Sequence, residues 1–318
     1  MNDIPTVREP QDTTYVVGRT STKINVWLRV LPRQAGERLH ELESLFVRTA
    51  LGDLLTLVAT PAQARSFQLS SNRPELISGN SVTRSWTVFA EGLAATTNTA
   101  AFHIQAHLEK RIPEQTGLGA GSGDAAACLL ALNDLHGHPF TPTALTLLAS
   151  SIGSDVPFLT ALMPAASVRG TGGFLATVPT LPQLWACVVL PPFKVDTAAA
   201  YSALDDVIAS RGPAAVEPTV PMEEVVAALQ GHARLPTGAH APVLNAFETV
   251  LGDYRALYQE VRDMLWASGA RVAGLSGSGS AIFGIYGSRA TAEAVARDLH
   301  QRLTSCQAMV AQLGRTTT

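Results

Sequence analysis

Cysteine is scarce: Cys128, Cys187 and Cys306 stand far apart in 318 residues and are odd in number. They supply neither a disulfide framework nor paired metal-ligand spacing. Charge is scarce as well. Only 15% of residues are Asp, Glu, Lys or Arg, against roughly 25% in an average soluble chain. The net charge is −3 and the isoelectric point about 6.2. With no basic excess to neutralise a phosphate backbone, nucleic acid is a poor partner. No uninterrupted apolar run reaches the ~18 residues of a membrane span. Met1 to Asp12 carries Asp3, Glu9 and Asp12 and lacks the basic start and apolar stretch of a secretory signal. A cytoplasmic protein with no membrane and no nucleic-acid partner is expected. What the chain does have is 46% hydrophobic residues, which excludes intrinsic disorder. At about 150 residues per domain, its length allows one large domain or two ordinary ones.

Periodicity supplies the elements. Residues 1–14 read as a loose tail. Ile24, Val26, Leu28 and Val30 alternate with Lys23, Asn25, Trp27 and Arg29, a period-2 strand with two distinct faces. Asp53 to Ala59 predicts a second strand. Phe102, Ile104, Ala106 and Leu108 alternate with His103, Gln105, His107 and Glu109, a strand with one wet face. Asp124 to Leu135 is rich in Ala and Leu and contains neither Gly nor Pro, which predicts a buried helix carrying Cys128. Residues 211–242, with five prolines from Pro213 to Pro242, read as irregular in part. Phe247, Val250, Leu251, Tyr254, Leu257, Val261 and Leu265 recur at spacings of three and four, with Gly269 as the stop, and predict the strongest helix. Val272–Leu275 and Ala281–Tyr286 predict strands around a Ser/Gly run at 276–280. A last helix carries Val295, Leu299 and Leu303, with Ser288 as candidate cap. Strands and helices mix without a regular βαβα beat, so the fold class is α+β rather than doubly wound.

Three constellations carry candidate chemistry. Gly117-Leu118-Gly119-Ala120-Gly121-Ser122-Gly123 lies between a predicted strand and a predicted helix. Glycines let the backbone approach a ligand, and a helix N-terminus directs free N–H groups at it. Together they suit an anion, most naturally phosphate. The plainer alternative is a tight connection with Ser122 or Asp124 as N-cap. Neither a Walker loop nor a Gly-x-Gly-x-x-Gly spacing is present. Asp124 puts a carboxylate near the anion, where it either caps the helix or helps hold a cation. Second, Lys23 and Asn25 share one face of their strand. Pattern alone favours a solvent-facing lysine; a buried ammonium would need a carboxylate or ligand oxygen. Third, Asp155 sits between apolar neighbours ahead of Pro157, either as an Asx turn or N-cap or as a carboxylate that accepts a proton. His40, alone, reads as a surface histidine.

In this order the segments resemble the GHMP kinases. The loop at 117–123 resembles their ATP-phosphate loop, and Leu275-Ser276-Gly277-Ser278-Gly279-Ser280-Ala281-Ile282-Phe283 their C-terminal glycine motif. Lys23 to Leu28, His40 to Phe46 leading to Leu51 to Leu57, and Gly153 to Phe158 narrow the resemblance further. They point to the branch that phosphorylates 4-diphosphocytidyl-2-C-methyl-D-erythritol in non-mevalonate isoprenoid synthesis. The resemblance spans roughly residues 18–287. It implies a two-domain fold: a ribosomal S5 domain 2-like, ATP-binding part over 1–178 and a ferredoxin-like, substrate-binding part over 179–318. It implies ATP on Gly117, Leu118, Gly119, Ala120, Gly121, Ser122 and Gly123, with Mg²⁺ bridging phosphate oxygens. Asp155 would be the catalytic base and Lys23 the polarising lysine. Asn25, His40 and Asp155 would touch a cytidine-diphosphate-linked polyol, His40 near the cytosine. A monomer or weak homodimer is expected. Metal ligands stay unassigned. Leu39 stands where the family usually has Tyr, Glu37-Arg38 where it has Asp-Gly, and Gly123 and Asp124 where it has Ser and Asn. Two alternatives stay open: a GHMP kinase with another alcohol acceptor, and a non-catalytic nucleotide-binding paralogue.

Overall fold

The computed structural model describes residues 14–33, 36–37, 39–94 and 101–314. Arg38 and residues 1–13 of the expected tail lie outside the described residues. In chain order the first half contains β1 (Thr14–Arg19), β2 (Thr22–Val30), β3 (Leu42–Thr49), β4 (Leu54–Pro61), β5 (Ser66–Ser71), α1 (Ser81–Ala94), β6 (Phe102–Glu109), α2 (Ala120–Leu135), α3 (Pro142–Ser150), α4 (Val156–Thr160), β7 (Ala165–Gly170) and β8 (Phe174–Thr177). The second half contains β9 (Trp185–Leu190), α5 (Thr197–Arg211), α6 (Met222–Gln230), α7 (Arg255–Ala267), β10 (Val272–Leu275), β11 (Ile282–Tyr286), α8 (Arg289–Arg302) and β12 (Gln307–Gln312).

The strands form three four-stranded sheets, in the orders β1-β4-β6-β5, β2-β3-β7-β8 and β10-β11-β9-β12. Every pairing is antiparallel except β5 with β6, which the crossover through α1 makes parallel. The third sheet has a βαββαβ chain order with both outer connections helical, a ferredoxin-like layout. The sequence division at 178/179 falls in the segment between β8 and β9.

Two buried clusters organise the packing. One lies under β4, β6, α1 and α2 and holds Leu57, Phe89, Ile104, Leu129 and Leu132. The other joins β2 to the third sheet and its helices, from Ile24 and Val26 to Phe283 and Leu299. Thus β2 belongs to the core of the second half although it comes early in the chain. On α2, Leu129 and Leu132 are fully buried, each contributing roughly 1.5–3 kcal/mol.

Three expectations need correction. Alternation along β2 is interrupted: Asn25 pairs with Phe46 and Trp27 with Leu45, leaving Val26 as a bulge. The bulge reverses side-chain parity. Leu28 therefore lines the same cleft as Lys23 and Asn25, while Trp27 turns away, buried, and donates its indole N–H to the Val220 carbonyl at 2.8 Å. The helix expected over 247–265 is two pieces of 3₁₀ helix, Ala246–Val250 and Gly252–Tyr254, followed by α7. Gly252, with φ +54°, breaks the run that its apolar spacing suggested. Thr14 belongs to β1 rather than to a tail. Ser288 caps α8 as expected, accepting the Thr291 N–H.

Candidate active site

The glycine loop ends on α2, whose N-cap Gly119 (φ +69°) provides no side-chain cap. The first N–H groups of the helix consequently have no partner within it, and Gly119 and Ser122 line the cleft into which that end opens. Gly117 (φ +77°) lies so close to the second glycine run that a Cβ there would sit 2.0 Å from the Ser276 carbonyl oxygen. The two loops are clamped together. Ser276 Oγ donates to the Gly117 carbonyl at 2.9 Å and accepts the Asn25 N–H at 3.2 Å. Asn245 holds the other side by donating to the Leu275 and Gly277 carbonyls, both at 2.8 Å.

Not every loop residue faces the ligand space. The Leu118 side chain is buried in the core, and its carbonyl accepts the Lys23 N–H at 2.9 Å. Gly123 is pressed against β2's approach: a Cβ there would sit 1.9 Å from the Ser21 carbonyl oxygen. The serine expected from the family pattern has no room. Asp124 neither caps α2 nor reaches the cleft. It is buried, accepting from Thr20 Oγ1 at 3.1 Å and pairing with Lys110 Nζ at 2.8 Å. Lys110 also pairs with the fully buried Asp53. Burial pushes the Asp124 carboxyl up to about 7; Lys110 opposes that rise and Asp53 adds to it.

Lys23 is not solvent-facing. Its side chain is 5% exposed, with Nζ 3.2 Å from Asp155 Oδ2. Nζ also donates to Asn25 Oδ1 and to the Gly117 carbonyl, the latter at 3.3 Å, and lies 4.8 Å from the Phe46 ring centroid. Asn25 in turn donates to Ser44 Oγ at 3.0 Å. Asp155 occupies the N-cap position of α4, yet its carboxylate makes no capping bond and is 26% exposed. Ammonium, carboxylate and glycine loop therefore meet at one end of a cavity of about 650 Å³.

The same cavity is lined by His40, whose side chain is 8% exposed rather than on the surface. Its Nε2 is 2.8 Å from Asp205 Oδ1, and its ring stacks on Tyr201 at 4.8 Å. Tyr201 packs edge-on against Phe247 at 4.9 Å. Arg33 reaches Asp205 Oδ2 at 3.5 Å. Leu39, 61% exposed, lines the rim. Tyr201 and Asp205 escaped the sequence reading because α5 is Ala-rich and buries only Leu204 completely, so it lacks an apolar stripe. Their spacing of four on one helix face was the available signal.

Known proteins resemble this chain in sequence and in fold. Residues 80–161 match the GHMP kinases N terminal domain and residues 233–304 the GHMP kinases C terminal domain. A 4-diphosphocytidyl-2-C-methyl-D-erythritol kinase of Solibacter usitatus is 34% identical over 271 residues, covering 85% of this chain and 81% of the relative. The kinase of that name from Moorella thermoacetica is also 34% identical, covering 88% and 93%. This chain belongs to the 4-diphosphocytidyl-2-C-methyl-D-erythritol kinase family. A crystal structure of a 4-(cytidine 5'-diphospho)-2C-methyl-D-erythritol kinase superimposes with a TM-score of 0.72 at 30% identity, covering 95% of this chain and all of the other. Homoserine kinase from Cytophaga hutchinsonii shares the fold, with a TM-score of 0.65 at 17% identity. Where the resemblance expects Ser-Asn after Ser122, this chain has a packing glycine and a buried, lysine-paired aspartate. Neither substitution puts a charge into the cleft.

Proposed function

We propose that this chain transfers the γ-phosphoryl group of ATP to the 2-hydroxyl of 4-diphosphocytidyl-2-C-methyl-D-erythritol. The single observation that carries the reading is the meeting of Lys23 and Asp155 beside the glycine loop, at 3.2 Å, in the cleft that His40 also lines. In phosphoryl transfer, positioning and charge stabilisation dominate. Backbone N–H groups at the start of α2 hold the phosphates. Asp155, free of capping duty, takes the proton of the acceptor hydroxyl. Lys23 steadies charge on the phosphoryl oxygens, and Asn25 fixes the lysine. His40 and Tyr201 hold the cytosine.

Among the described residues no group of three or more His, Cys, Asp or Glu side chains could hold a metal ion. Mg²⁺ would arrive on the nucleotide, where beside phosphates it needs only one or two protein oxygens. Ser122, on the glycine loop and lining the cleft, would be one such oxygen; the ion would neutralise phosphate charge. Among the described residues no helix is long and apolar enough to cross a membrane. The three buried free cysteines support a reducing, cytoplasmic setting. The test is ADP release from purified protein with MgATP and the cytidyl-linked alcohol. A folded protein that releases none overturns the reading; turnover of a different alcohol in its place would reassign the acceptor.

A further inference from the structure

The cleft also holds a group that phosphoryl transfer itself does not use. Asp205 lies beside His40, not beside any reacting atom, and both of its carboxylate oxygens are engaged. Oδ1 is 2.8 Å from His40 Nε2 and Oδ2 is 3.5 Å from Arg33. A carboxylate only accepts hydrogen bonds, so the imidazole proton resides on Nε2. In the neutral ring the other nitrogen, Nδ1, is then an acceptor. Among the described residues Nδ1 has no hydrogen-bond partner, although His40 lines the cleft. Tyr201 stacks on the ring at 4.8 Å, which prevents it from turning over freely. Tyr201 and Asp205 stand one helical turn apart on α5, so one element fixes both the plane of the ring and its proton.

Cytosine and uracil differ at the atom that such an acceptor reads. Cytosine presents an exocyclic amine at position 4, a donor, whereas the corresponding oxygen of a uracil-type base is an acceptor. An acceptor held in place pairs with the first and opposes the second, leaving two buried lone pairs facing each other. We infer that Asp205 is a positioning residue that locks His40 in the Nε2–H tautomer and thereby makes the site select a cytosine-bearing nucleotide over its uracil counterpart. The inference rests on the proposed substrate and adds what sets its base specificity. Asparagine in place of Asp205 offers both a donor and an acceptor, so either tautomer is satisfied and the lock is lost.

The experiment compares kcat/KM for the cytidine-diphosphate- and uridine-diphosphate-linked methylerythritol alcohols in the native protein, Asp205→Asn, His40→Ala and the double variant. The native protein should prefer the cytidine form by roughly 10- to 100-fold, the range that one good base contact provides. Asp205→Asn should bring that ratio down at least tenfold. In the His40→Ala background the same change should leave the ratio where it is, because the two residues act in series. The ¹⁵N spectrum of ring-labelled protein supplies a readout that mere packing would not move. Native His40 should show a protonated Nε2 and a bare Nδ1, and Asp205→Asn should mix the two tautomers. Turnover of neither alcohol by native protein overturns the substrate reading itself. Turnover with a cytidine preference that survives Asp205→Asn, or a native spectrum with the proton on Nδ1, overturns this inference alone.

Discussion

Two lysine–carboxylate clusters flank the first turn of α2, and they differ chiefly in access to water. In one, Lys23 meets Asp155, whose side chain is 26% exposed to the cleft. In the other, Lys110 bridges Asp53 and Asp124, whose side chains are 0% and 2% exposed. The chemistry of the groups is nearly the same. An exposed carboxylate oxygen can accept a proton from an arriving hydroxyl; a sealed one can only hold its neighbours in place. The first cluster suits catalysis, and the second ties β4, the end of β6 and α2 together beside the glycine loop.

That contrast can be broken most decisively at Asp155. Asp155→Asn should lower turnover by about 10²- to 10⁴-fold, the usual contribution of a general base, while nucleotide affinity by calorimetry changes little; near-native turnover at saturating substrate would remove the residue from the chemistry. Lys23→Met should follow with a loss on the order of 10²- to 10³-fold, as for other preorganised charge-stabilising donors, again read in steady-state kinetics. Lys110→Met should do the reverse. It leaves two buried carboxylates uncompensated and should cost about 3–5 kcal/mol of stability by denaturant titration, with activity per folded molecule retained. A kinetic defect without a stability defect would refute the division of labour.

A pH series sharpens the same comparison. Burial raises the Asp124 carboxyl to about 7, above its unfolded value near 4. Over that window the folded state holds a proton that the unfolded state has released, so the Asp124 contribution to stability declines as pH rises from about 4 to 7. The slope is at most about 1.4 kcal/mol per pH unit. Asp124→Asn should flatten it, and an unchanged slope would mean that the cluster does not titrate. The smallest effect is expected at Cys128, buried on α2 one helical turn beyond Asp124 and making no ion pair with either cluster. Cys128→Ala should lower stability by roughly 1 kcal/mol and leave turnover as it was.

Local pattern made much of this legible. The wet and dry faces of β6 and the apolar helix α2 follow from side-chain periodicity. So does the placement of the glycine loop at the N-terminus of α2, because glycine and a helix start announce themselves locally. What depended on tertiary neighbours was not legible. Lys23 reads as exposed until Phe46, Gly117 and Asp155 are packed around it. His40 reads as a surface residue until α5 brings Tyr201 and Asp205 from more than 160 positions away. Asp124 reads as a ligand or a cap because nothing in its own segment announces Lys110. The apolar spacing from Phe247 to Leu265 suggested one helix, but it cannot show that Gly252 takes a positive φ and divides the run.

The extra residue in β2 has a reach beyond its own strand. Because Val26 is unpaired, Lys23 and Leu28 point into the same cavity although an odd number of positions separates them. At about 3.3 Å per residue, that stretch measures some 17 Å, a built-in gauge running along the cleft from Lys23 to Leu28. Deleting Val26 would restore a plain zigzag and swing one mark of the gauge to the far side of the sheet. A molecule long enough to touch both ends would then be greeted by only one of them.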